Sequence, residues 1–352
     1  MPRRSPPPFD QAEWLLDKLL AHPGCGTFKQ LFTLLEYDKS SGLLSFHLKP
    51  PPREPGFNTD VGNLQRWRHL QFDTLRLIDL EAIGFTRTSR FFVIGCFPGG
   101  YSTYLLHTWP NSVGVGITPP SEDGGVGSAI PLDLLPRLDI RVEDLTLYDY
   151  APEILNTPTS APQTALLPLP FEPHTFDLVV CAAYLPARAD PRPWRLTRLE
   201  VARILLGLLA VGNGGRMVIE LEHIESPLTA RLVIAFGRIA DIETLKCSPI
   251  QKKRGKFELL VSGVRIDTLE FRDLTYGLQK LLHIMTYGGK KGKGRDLTSG
   301  DKDLITPWKS VLSPNGVNRI AEKGEKIWKV QYKAIQKHLQ SKGIEIDNDQ
   351  TN

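Results

Sequence analysis

The sequence predicts an α/β protein of the Rossmann type: a mostly parallel sheet with helices on both faces and helical extensions at each end. Two observations carry this. Apolar strand-like runs alternate with helical periodicity through the middle of the chain, and the first of those strands runs into a glycine-rich turn that opens a helix.

At the amino end, Asp10 and Glu13 bracket the start of an apolar run with Trp14, Leu15, Leu16, Leu19 and Leu20, the form of a capped helix start. A second apolar helix follows Thr27. Residues 49–55, Lys-Pro-Pro-Pro-Arg-Glu-Pro, exclude helix and central strand because proline lacks the amide and restricts its predecessor. They read as a linker that separates a helical extension, 1–55, from a sheet domain, 56–265. Strands are expected at 91–95, 113–118 and 176–182, with a helix over 99–107. A helix at 194–209, a strand at 216–221 and a helix at 227–239 follow. The last two strands, near 242–247 and 257–262, are close enough in sequence to pair antiparallel. Residues 266–352 form a basic, mainly helical region, broken by a lysine-glycine stretch at 288–295 that is expected to be a mobile loop.

The chain has 352 residues, 41% hydrophobic and 23% charged, ordinary for a soluble globular protein. Cys25, Cys96, Cys181 and Cys247 are scattered singly, without the paired spacing of a zinc site or a disulfide framework. No metal is expected. The amino-terminal segment has neither a secretory signal nor a membrane span, so the expectation is an intracellular protein, cytoplasmic or nuclear. The net charge of +4 is uneven: residues 251–352 hold 20 Lys+Arg against 12 Asp+Glu. That excess suits a phosphate-bearing partner such as RNA, and equally a solvated surface.

The turn is Gly95-Cys96-Phe97-Pro98-Gly99-Gly100. Glycines let the backbone approach a ligand closely, Pro98 fixes the turn, and the head of the following helix presents amides suited to a carboxylate; the hexapeptide serves equally as a turn that packs helix on strand. Its spacing differs from the Gly-x-Gly-x-x-Gly of dinucleotide enzymes, and Ile117-Thr118-Pro119 lacks the acid that grips a ribose there, which argues against a hydride-transferring oxidoreductase.

With Tyr101 and Ser102 after it, this segment resembles the FtsJ-like methyltransferases, where a strand enters a Gly-x-x-Pro-Gly-Gly turn followed by an aromatic residue and serine. Gly114 through Pro120, Glu122, Gly124, Gly125 and Asp144-Leu145-Thr146-Leu147 extend the likeness to a fungal branch of that family. So does the stretch from Lys326-Ile327-Trp328 through Gln331 to Leu339. The resemblance implies a seven-stranded methyltransferase sheet with an antiparallel last strand, and S-adenosylmethionine (SAM) as cofactor. It implies that Gly95, Cys96, Phe97, Pro98, Gly99, Gly100 and Tyr101 hold that cofactor, with Asp144 and Leu145 at its adenine; by residue type alone Asp144 serves equally as a turn cap.

The same resemblance implies RNA ribose 2′-O-methylation by a Lys-Asp-Lys-Glu tetrad, which this chain does not reproduce. Arg76 falls at the first lysine, and a guanidinium that stays protonated is no general base. Ala182 and Ala183 stand where the aspartate is expected. Glu220, Glu222 or His223 falls at the second lysine and Lys256 or Glu258 at the glutamate, the alignment being ambiguous by one or two residues. Val93 replaces a sheet-edge acid before the turn. His223 suits base chemistry because it titrates near neutrality, and serves equally as a structural residue.

Three readings stay open at this level: an active methyltransferase on RNA, one on a protein or small-molecule acceptor, and a catalytically inactive protein that kept the fold and binds SAM or RNA. Arg66, Trp67 and Arg68 offer a ring between two cations that can stack on a base, or simply a helix surface.

Overall fold

A computed structural model of the protein describes residues 11–41, 61–121, 125–150, 166–182, 192–248 and 251–343. The proline run at 49–55, with Asp10, Glu122, Gly124 and Ala183, lies outside them.

Seven strands form one sheet: β1 (Arg90–Ile94), β2 (Val113–Thr118), β3 (Leu138–Val142), β4 (Phe176–Cys181), β5 (Val211–Glu222), β6 (Asp241–Leu245) and β7 (Lys256–Ser262), in the order β3-β2-β1-β4-β5-β7-β6. β1 to β5 pair in parallel, while β7 runs antiparallel to both β5 and β6. This is the sheet the sequence implied. The order reverses between β2-β1 and β4, so the crevice beyond the carboxyl ends of β1 and β4 is where such sheets take ligands.

The helices are α1 (Gln11–Ala21), α2 (Gly26–Ser41), α3 (Val61–Glu81), α4 (Gly100–Thr108), α5 (Arg195–Ala210), α6 (Pro227–Ile239), α7 (Leu269–Tyr287), the short α8 (Ser299–Lys302) and α9 (Trp308–Val311), and α10 (Pro314–Gln340). Both faces of the central strands are buried, as their continuous apolar runs require. On one face Leu75 and Ile78 of α3 and Leu105 of α4 join Phe91, Val93, Val180, Val218 and Leu260. On the other, Phe92, Val179, Ile219 and Leu259 share a core with α5, α6 and α7.

Both extensions belong to that second core. Leu15, Leu19 and Phe28 of α1 and α2 pack in it with Ile320, Trp328 and Ile335 of α10, and the Phe28 and Trp328 rings lie 4.3 Å apart. Arg231 of α6, fully buried, ties the ends together. It donates to Gln11 Oε1 (3.1 Å), the Thr306 carbonyl (3.1 Å) and Asp303 Oδ1 (2.7 Å), and stacks on the Trp308 ring at 4.5 Å. The lysine-glycine stretch at 288–295 includes a short 3-10 turn at Lys290–Gly292. Arg295 forms a two-pronged bond to Asp301 (2.6 and 2.9 Å), and Asp301 with Thr298 makes a capping box that anchors its far side.

Candidate active site

The glycine turn joins β1 to α4 at the crevice. Gly95 and Cys96 both donate their amides to the Ile117 carbonyl (2.9 Å each), which pins the start of the turn to β2. Gly99 has φ 110°, and a Cβ there would lie 2.0 Å from Ile130 Cγ1; a Cβ on Gly100 would lie 2.0 Å from the Arg68 carbonyl oxygen of α3. These two glycines are therefore required by neighbouring protein atoms, whatever ligand the turn holds. Gln71 of α3 completes the turn: its Oε1 accepts from the amides of Gly99 (3.3 Å) and Gly100 (2.8 Å), and its Nε2 donates to the Phe97 carbonyl (3.3 Å).

Asp144 follows β3 and caps a short 3-10 turn, Oδ1 accepting from the Thr146 amide at 2.8 Å, so the capping role is in place and the second oxygen remains available to a ligand. Leu145 beside it is fully buried, and its carbonyl accepts from Tyr150. Ser102, in the first turn of α4, has a fully buried hydroxyl with no partner among the described residues. The Ser102 hydroxyl and the second Asp144 oxygen are the polar groups beside the glycine turn and past β3 that a ligand with polar ends would call on.

At the carboxyl end of β5 the register shows which of the candidate residues face one another. Glu220 stands opposite Glu258 and Glu222 opposite Lys256, all on the face that carries Val218 and Leu260. Lys256 Nζ is 2.7 Å from Glu220 Oε1 and 3.3 Å from Glu222 Oε1. Burial works against the ammonium, but the two carboxylates outweigh it and raise the Lys256 pKa, so Lys256 is held as a cation. Glu258 is 5% exposed. Burial pushes its pKa up to about 7, with repulsion from Glu220 adding to the rise, while the Cys247 amide, 2.9 Å from Oε2, and Lys246 oppose it. Tyr101 feels both carboxylates: burial first, then Glu220 and Glu258, raise its pKa, and its hydroxyl stays protonated. The arrangement therefore sets a carboxyl whose pKa is raised toward neutrality opposite a second carboxylate clamped by Lys256.

A carboxyl of raised pKa binds its proton more tightly folded than unfolded. Its stabilising share is fully present below the ordinary value of 4.5 and is lost as pH climbs through about 7. Replacing Glu258 with Gln removes that loss. Melting curves should show the variant more stable than wild type at pH 8, by up to about 3 kcal/mol, and nearly equal to it at pH 4. A difference that does not change with pH would show that Glu258 does not titrate in this window.

The other sequence-derived candidates are placed elsewhere. Arg76 lies on the exposed side of α3, paired with Asp73 at 3.0 Å, and is not brought together with Glu220 and Glu258. His223 leaves β5 in the left-handed region, φ 48°, with its side chain 51% exposed and Nδ1 3.0 Å from Glu225 Oε1. The hydrogen bond to Glu225 raises its pKa against the opposing effect of burial, which favours the imidazolium over a base. Ala182 is buried and brings no carboxylate. Arg66 and Trp67 are exposed, whereas Arg68 turns inward to the Ala129 carbonyl at 3.1 Å.

Sequence reasoning missed Gln71 and Arg203. Arg203 of α5, 4% exposed, stands where the β4–β5 ladder ends. It donates to the carbonyls of Cys181 (2.5 Å), Ala182 (3.1 Å) and Glu220 (2.7 Å) and to Glu200 Oε2 (2.6 Å). Its signal was present, an arginine inside the apolar run Val201-Ala202-Arg203-Ile204-Leu205-Leu206, where a buried charge must find partners.

A cavity of about 660 Å³ opens at the opposite, amino-terminal end of the strands, lined by Arg87, His174, Asp177 and Arg216 among others. Its charged groups are largely engaged: Asp177 accepts from the amides of Ser89 and Arg90 (2.8 and 2.9 Å), and Arg216 donates to the carbonyls of Gly84 (2.9 Å) and Arg87. It also lies away from the end where such sheets bind ligands. Among the described residues no His/Cys/Asp/Glu group is placed to hold a metal ion, and no helix is long and apolar enough to cross a membrane.

No family model and no curated protein sequence matches the chain. Solved structures with a similar fold include a Plasmodium falciparum protein assigned as a ribosomal RNA methyltransferase, at 14% identity and TM-score 0.35, covering 54% of this chain and 94% of that one. A TehB-like SAM-dependent methyltransferase from Corynebacterium glutamicum gives 16% identity and TM-score 0.31, covering 57% and 96%. The N,N-8-amino-8-demethyl-D-riboflavin dimethyltransferase of Streptomyces davawensis gives 19% and 0.26, covering 58% of this chain and 54% of that one, about half its length. At these values the likenesses carry no argument about what the chain does, and the assignment of the fold rests on the strand order and directions themselves.

Proposed function

We propose that the chain is a SAM-dependent methyltransferase in which Glu258 is the general base and RNA the acceptor. The observation that carries the reading is the Glu220–Glu258 pair at the carboxyl end of β5, within electrostatic reach of Tyr101 in the first turn after the glycine loop. SAM supplies an electrophilic methyl group. Glu258 takes the proton of the acceptor, to which that methyl group would pass with S-adenosylhomocysteine as the leaving group. Lys256 holds Glu220 in place, while burial, with repulsion from Glu220 added, keeps the Glu258 pKa high enough for proton exchange at neutral pH. Relative to the resembled tetrad, Glu220 and Glu222 occupy β5, where its second lysine is expected, while Glu258 stands with Lys256 on β7, where its glutamate is expected. RNA is favoured because the turn leading into β7 carries Lys252, Lys253 and Arg254, next to Lys256 and Glu258.

The test is calorimetric titration with SAM and S-adenosylhomocysteine, followed by tritiated-methyl transfer to RNA and to protein acceptors. SAM binds, label enters RNA, and kcat/KM rises with pH through about 7; Glu258→Gln lowers it about 100-fold or more and flattens the rise. Activity within threefold of wild type in that variant would remove Glu258 from the chemistry. Transfer only to protein would replace RNA as acceptor. Binding with no transfer to any acceptor would favour the second reading, an inactive binding protein, for which the missing carboxylate at Ala182 speaks.

A further inference from the structure

We propose that Gln71 is a specificity-determining residue: its side-chain oxygen competes with a ligand carboxylate for the head of α4, so the site selects the nucleoside end of an adenosyl ligand over its amino-acid end. This rests on the proposed role of the glycine turn in holding SAM.

A helix head carries amides without intrahelical acceptors, and the partial positive charge there favours an anion. The residue at the cap normally supplies the acceptor from its own side chain. Gly99 stands at the cap of α4 and has none. Gln71, 28 residues earlier in the chain and on another helix, supplies it instead, bonding the amides of both Gly99 and Gly100. Its Nε2 holds the Phe97 carbonyl, so the one side chain grips both sides of the turn. Space keeps it there, because a Cβ on Gly100 would lie 2.5 Å from Gln71 Cβ and 2.7 Å from the Phe72 amide nitrogen. α3 and the turn are thus in direct contact, and Arg68, one helical turn earlier on α3, reaches the neighbouring stretch through the Ala129 carbonyl.

Two of the amides that the sequence assigned to a ligand carboxylate are therefore bonded to a neutral amide oxygen of the protein. In the first turn only Tyr101 and Ser102 keep amides without an acceptor among the described residues. A ligand's carboxylate gains less here than at an open helix head, while its nucleoside end, which on this reading would be held at Asp144, does not compete with Gln71.

Calorimetry with S-adenosylhomocysteine and with 5′-methylthioadenosine, which lacks the amino-acid end, tests this on wild type, Gln71→Ala and Gln71→Glu. Wild type should bind the two ligands within about threefold of each other. Gln71→Ala frees the amides and should tighten S-adenosylhomocysteine about three- to tenfold, while Gln71→Glu fixes a charge there and weakens it by a similar factor. Methylthioadenosine should bind all three proteins alike, which also reports that the variants are folded. If both ligands move together, or their ratio stays constant, Gln71 only fastens α3 to the turn and the inference is overturned while SAM binding stands. If neither ligand binds any of the three proteins, the inference and the SAM-binding reading fail together.

Discussion

Arg203→Ala should cost about 3–5 kcal/mol of folding stability, the largest loss expected from any single side chain at the site. The guanidinium is 4% exposed and makes four bonds, three of them to main-chain carbonyls at the ends of β4 and β5. Removing it leaves those carbonyls without their donor, each worth about 1–3 kcal/mol if no water replaces it. It also strands Glu200, whose side chain is only 29% exposed. Burial alone would lower the arginine's pKa, but Glu200 and neighbouring groups more than compensate, so the charge persists in the folded protein. Arg203→Lys should recover little, because a single ammonium cannot reproduce the fork that spans two strands. Urea denaturation checks both variants, and a loss below about 1 kcal/mol for the alanine variant would mean that solvent reaches the strand ends and no clamp exists. The consequence for the site follows from the geometry. Arg203 holds the Ala182 and Glu220 carbonyls at once, so it fixes the opening between β4 and β5 and with it the direction in which Glu220 projects. Arg203→Lys, if folded, should therefore lower transfer activity more than it lowers cofactor affinity.

Most of the fold was legible because its signals are local. Strand runs such as Phe91-Phe92-Val93-Ile94 are apolar on both faces, and the Gly-Cys-Phe-Pro-Gly-Gly turn marks where β1 becomes α4. The site was legible only as a set of addresses. Glu220 and Glu258 could be named, yet which of Glu220, Glu222 and His223 faces which residue of β7 depends on a pairing register that local sequence does not encode. Gln71 was invisible for a related reason. A glutamine on a helix surface has no local signature, and its role arises only when α3 packs across the turn 28 residues later. In the loop at 288–295 composition does not reveal the Arg295–Asp301 pair, which joins residues six apart. For the glycines of the turn the sequence leaves a ligand and the packing of helix on strand equally open; at Gly99 and Gly100, Ile130 and the α3 backbone fill the space beside them.

Gly100→Val should therefore be among the most damaging substitutions in the chain, and damaging for a reason that can be separated from ligand binding. A Cβ at this position would sit 2.0 Å from the Arg68 carbonyl oxygen and 2.7 Å from the Phe72 amide nitrogen. Both are backbone atoms, so no rotamer change relieves the overlap and α3 must move away from α4. That movement would disrupt the burial of Leu75 and Ile78, the edge contact of Phe72 with Tyr104 at 5.1 Å, and the Tyr104 hydroxyl bond to Asp79 at 2.7 Å. Overpacking typically costs about 1–3 kcal/mol, and contact with rigid backbone places this case at or above the upper end. The Gln71 bonds to the turn would be lost with it. Gly26→Ala is the matching control, since nothing lies within 4 Å of its Cβ position and its φ is ordinary; it should be neutral or stabilise by up to about 1 kcal/mol. Denaturation midpoints give the first comparison and SAM titration the second. If Gly100→Val lost SAM binding while keeping wild-type stability, the ligand itself would approach Gly100, and the packing of α3 against the turn would not be the reason for glycine there. Loss of stability together with separation of α3, read as faster amide exchange over Leu75 to Asp79, would identify the α3–α4 contact as what holds the glycine turn in its binding geometry.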